Sequence, residues 1–101
     1  MESNDLVNQI RARFDHESQK RILREKYEAA MLFAHEGGMW RAGPDLQITL
    51  IACQEDEVVL KDLYENPVKV RVSDLLQLSQ QRWQEQMNAW LSEYENLLQR
   101  R

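Results

Sequence analysis

From Asp5 to His35 apolar side chains recur mostly three or four residues apart, with neither glycine nor proline between them. That spacing, in a stretch rich in Arg, Lys, Glu, Gln, Ala and Leu, predicts one long helix over about residues 5–35, with Asn4 or Asp5 as its cap. Leu6, Ile10 and Phe14 share one face, and Leu23, Tyr27, Ala30, Met31 and Ala34 form a second. Between them Asp15 to Arg21 is polar all round. A helix of that length is about 45 Å long, more than a small domain covers, so residues 1–20 are expected to project, fray or meet a second subunit.

Gly37-Gly38 then predicts a helix end, since glycine takes the left-handed C′ conformation without steric cost. Met39 and Trp40 would fold back as apolar cover over that end. Gly43-Pro44-Asp45 is a second break and a good helix start. Leu46 to Cys53 therefore reads as a short helix, although Ile48, Thr49 and Ile51 also suit a strand. Val58 to Tyr64 and Val68 to Val72 read as two strands of a hairpin joined at Glu65-Asn66-Pro67, with Val68, Val70 and Val72 on the dry face.

The last pattern is the clearest. Leu76, Trp83, Met87, Trp90, Tyr94 and Leu97 follow heptad-like spacings of 7, 4, 3, 4 and 3. They predict an amphipathic helix over 73–100 that must pack on another helix. Ser73 is the expected cap, Asp74 suits the first turn, and Arg100 and Arg101 suit the negative end of the helix dipole. The whole is one α+β domain over residues 1–101: a long N-terminal helix, a short helix, a β-hairpin and a long C-terminal helix, with the outer helices antiparallel.

Charge and cysteine content narrow the function classes. The net charge is −4, and no third of the chain is strongly basic. Duplex binding thus lacks an electrostatic footprint at the level of net charge. A nucleic-acid accessory role would have to use Arg11, Arg13, Lys20, Arg21, Arg24 and Lys26, which acidic residues interrupt. Cys53 is the only cysteine, the N-terminus is polar, and no apolar run is long enough to cross a bilayer. A reducing, cytoplasmic setting is expected.

No cofactor and no metal is implied. His16 and His35 would sit at opposite ends of one helix, and Cys53 lacks a neighbouring base. The Gly37–Gly43 stretch has no Gly-Lys-Ser/Thr ending, so it is not a phosphate loop. If the chain were an enzyme or a metal protein, His35 with Glu36 beside the glycines would be the place. The favoured candidates are instead partner-interface residues, Trp40, Trp83, Met87, Trp90, Tyr94 and Leu97, because Trp, Tyr and Met anchor interfaces. They point to a homo-oligomer or a protein partner.

The strings FAHEGGMWRAGPDL, VVLKDLYENPVKVRVSDLL and RWQEQMNAWLSEYENL resemble a group of short, uncharacterised proteins of tailed phages that infect marine cyanobacteria. The resemblance covers about residues 33–98. It carries no catalytic motif. What it implies is context: the host cytoplasm during infection, or a part of the virion.

Overall fold

The structure, a computed structural model, describes residues 2–99. Helix α1 runs over Glu2–Ala30, strand β1 over Leu32–His35 and β2 over Gly38–Arg41. Helix α2 spans Pro44–Ala52, β3 Glu57–Lys61, β4 Pro67–Arg71, and α3 Val72–Gln99. The architecture is α+β, with three helices and two antiparallel hairpins. Arg100 and Arg101, expected at the end of the last helix, lie outside the described residues.

One expectation fails at Met31. The first helix stops at Ala30 instead of running to residue 35, and Leu32 to Arg41 form a hairpin. Glu36 and Gly37 are its two-residue loop, both with positive φ, at 54° and 78°. Such a loop matches the twist of the flanking strands. Gly37 is therefore a hairpin turn residue and not a helix cap. Trp40 does not fold back over a helix end. It lies in β2 directly opposite Phe33, and both are buried.

The second hairpin pairs Val58 with Val70 and Leu60 with Val68, and these side chains face the core while Lys69 and Arg71 face water. Tyr64, expected at the end of a strand, lies in the turn. Asp62 organises that turn. Its Oδ1 accepts the backbone N–H groups of Tyr64 and Asn66, both at 3.0 Å. Its Oδ2 accepts that of Met39 at 3.1 Å, while the N–H of Leu63 donates to the Met39 carbonyl. The two hairpins are thereby clasped to one another.

Asp62 is buried, and the donors from Asn66, Met39 and Tyr64 outweigh burial and hold its carboxyl below the ordinary value. A depressed native pKa contributes stability above the unfolded value of about 3.9, and that stability is lost as the pH falls through the native value. Asp62→Asn is therefore expected to melt below the wild type at neutral pH. The gap should close progressively once the pH drops below about 4, as thermal melts across pH would show.

Gly43 opens α2 at φ 148°, a region that favours glycine, and a Cβ there would touch the Trp83 ring at 3.4 Å. Pro44 follows in the first turn. Leu50 is the one buried residue of α2, while Ile48 and Ile51 are exposed. The expected Ser73 cap is replaced from a distance: Asp56 accepts the N–H of Val72 on its carbonyl and that of Ser73 on Oδ1. A side chain from the turn before the second hairpin thus satisfies a donor at the start of α3.

Met31, Phe33, Trp40, Ala42, Leu50, Val70, Val72 and Leu75 form the core cluster. It sits where the hairpins and α2 meet the first turns of α3. The rest of α3 runs antiparallel to α1, as Tyr27 against Trp90 and Ala30 against Arg82 show. The molecule is elongated, 68 × 24 × 20 Å, with a packed head and a two-helix stalk.

Candidate interaction surfaces

The C-terminal stripe divides between head and stalk. Trp83 and Met87 are half-buried against the core cluster. Trp90 stacks on Tyr27, with ring centroids 5.8 Å apart and planes within 9°. Tyr94 is half-buried, and Leu97 is buried beside the middle of α1. Trp40 is a member of the core cluster itself, at 3% exposure. Its indole N–H donates to the His35 carbonyl at 3.0 Å.

Among the described residues, one charged pair fastens the stalk. Lys26 Nζ donates to Glu93 Oε1 at 2.7 Å and lies 5.1 Å from the Tyr27 ring centroid. The hydrogen bond raises the Lys26 pKa and lowers that of Glu93, so each partner holds the other charged. Both groups are solvent-accessible, so the pair fixes register more than it stabilises.

The candidate nucleic-acid residues fall into two groups. At about 100° per residue, Arg13, Lys20, Arg21 and Arg24 lie within about 100° of one another around the helix, whereas Arg11 and Lys26 point away from them. Lys26 is engaged with Glu93, and Lys20 lies 3.8 Å from Glu17. His16 and His35 prove to lie on different elements, α1 and β1. His35 Nε2 is 4.0 Å from Glu36 Oε1 at the hairpin turn, and Cys53 donates its thiol to the Thr49 carbonyl at the end of α2. Among the described residues no three His, Cys, Asp or Glu side chains are grouped to hold a metal ion.

Two features remain open to a partner. One is a cleft of about 1000 Å³ at the junction of head and stalk, lined by Trp83, Trp90, Met31 and Leu60, with Glu25 and Glu28 among its polar walls. The other is the N-terminal half of α1. Leu97 packs near Ala12 to Gln19, so the turns before Ala12 run past the described end of α3. Leu6, Val7, Ile10 and Phe14 are all exposed there, Phe14 at 70%. Sequence periodicity marks Leu6, Ile10 and Phe14 as one face, but not that it is left exposed by the described residues.

No protein-family model matches the chain, and no curated protein or solved structure matches it significantly.

Proposed function

We propose that this chain is a non-enzymatic interaction or assembly protein that self-associates through helical faces. The observation that carries this reading is the exposed apolar row of α1, Leu6, Ile10 and Phe14, on a helix that outruns its intramolecular partner. Scattered apolar side chains are ordinary on protein surfaces, whereas a contiguous row of large ones marks an interaction site. The half-buried Trp83, Met87, Trp90 and Tyr94 complete the apolar surface of the stalk. A phage structural or accessory component is one form of this role, supported by the resemblance of residues 33–98. No described helix is long and apolar enough to cross a membrane, so membrane spanning by a helix has no support. Multi-angle light scattering over a wide concentration range is expected to show a mass above 12.1 kDa that rises with concentration. A strict monomer at high concentration refutes self-association.

A further inference from the structure

The geometry points to a binding surface for single-stranded nucleic acid along the side of the stalk where Arg13, Lys20, Arg21 and Arg24 project. This goes beyond self-association and does not depend on it. The stalk has two sides, told apart by the Lys26–Glu93 pair. Tyr27 of α1 and Trp90 of α3 face each other and stack. At about 100° per residue, Lys26 is turned to one side of Tyr27 and Arg24 to the other. Glu93 meets Lys26 at 2.7 Å, so it marks the same side on α3. Tyr94, Leu91 and Leu98 are turned the opposite way from Trp90 and therefore flank the side of Arg24. That side sets a basic rim from α1 beside an apolar rim from α3. Both rims are accessible: Arg13, Arg21, Arg24 and Leu91 are exposed, and Lys20 and Tyr94 are half-buried.

Charge selects the class of occupant. The chain carries a net charge of −4, yet this rim holds a local surplus of cations. Among the described residues Arg13, Arg21 and Arg24 enter no ion pair, and Lys20 has only Glu17, at 3.8 Å. From Arg13 to Glu28 the carboxylates on the same arc of α1 are Glu17 and Glu28, so the four cations outnumber them. On α3, Glu95 points about 140° round from Trp90, behind the apolar rim. Arg13 to Arg24 spans about 16 Å of helix, a row that fits a linear string of phosphates better than one isolated anion. Four cations fall short of the roughly six to ten phosphate contacts of a strongly salt-dependent duplex binder. A single strand needs fewer, because its unpaired bases stack on side chains such as Tyr94 beside the phosphate track.

Fluorescence anisotropy with a labelled oligothymidylate, and with an oligouridylate of equal length, tests this at low salt. Both are expected to bind, and log affinity should fall against log salt with a slope of about −2 to −3, from three or four phosphate contacts. Arg21→Gln with Arg24→Gln should weaken binding about tenfold or more and reduce that slope by about 1.4. Arg11→Gln, on the far side of the helix, should leave binding unchanged. Glu17→Gln should tighten it by releasing Lys20. These positions are exposed, and far-ultraviolet circular dichroism of each variant verifies that the helices persist. No anisotropy change with either oligonucleotide overturns the proposal, and so does a loss of binding in Arg11→Gln as large as in the double variant. Equal or tighter binding of a duplex or of a polyglutamate peptide overturns the single-strand assignment. Competition by inorganic polyphosphate as strong as by unlabelled oligonucleotide overturns it as well, since the bases would then add nothing. The mass of the same variants in light scattering reads self-association separately, so either idea can fail without the other.

Discussion

Trp40→Ala is expected to lower the stability of the fold by about 3–5 kcal/mol, read as a fall in the urea unfolding midpoint. Three losses combine. The ring is 3% exposed, so its removal opens a large cavity in the head. It faces Phe33 across the first hairpin, and that pair is lost. Its N–H satisfies the carbonyl of His35 beside the turn, which would lose that partner. Trp40→Phe should recover most of the packing but not the hydrogen bond, and so fall between wild type and alanine. A change below about 1 kcal/mol for alanine would mean that the first hairpin does not share the core.

Leu75→Ala should cost about 2–5 kcal/mol, because Leu75 is completely buried where α3 enters the core cluster with Leu50, Val70 and Val72. The environment is built from hairpin, short helix and long helix together, so it cannot collapse around a cavity by moving one element. Leu75→Met conserves volume and should cost less than about 1.5 kcal/mol. A domain of this size has about 5–15 kcal/mol in total. The alanine variant should therefore unfold at markedly lower urea with the slope of the transition unchanged. A midpoint equal to that of wild type would contradict the packing of α3 on the head.

The two long helices and the second hairpin were legible because their periods hold over enough residues, whereas the short helix was legible only from its Gly43-Pro44-Asp45 start. Val68, Val70 and Val72 alternate beside a turn signal, and the Trp83 to Leu97 seam runs for several turns. Met31 to Arg41 was not legible, for a specific reason. Met31 and Ala34 continue the helical spacing of Leu23 and Tyr27, at steps of four and three, and Gly37-Gly38 suits a helix end as well as a hairpin turn. The discriminating signal is weak: Phe33 and Trp40 fall opposite each other about Glu36-Gly37. Asp62 was missed altogether, since one acidic residue before Leu63-Tyr64-Glu65-Asn66 says nothing of Met39, whose N–H comes from a distant strand. The cap on α3 went unseen likewise, because Asp56 reaches it across a whole hairpin. For the candidate surface, periodicity supplied the face of Leu6, Ile10 and Phe14. Its exposure depends on where α3 stops relative to α1, which no local pattern contains.

The clasp between Asp62 and Met39 also bears on the order of events while the chain is being synthesised. Residues 31–71 separate α1 from α3, so α1 leaves the ribosome well before the helix that covers Tyr27 exists. Both of its apolar faces are then open to solvent until α3 follows. The hairpins can close locally in the interval, and Asp62 can fasten them before α3 arrives. The stalk would then be the last part of the molecule to form, after the head has closed around its hairpins.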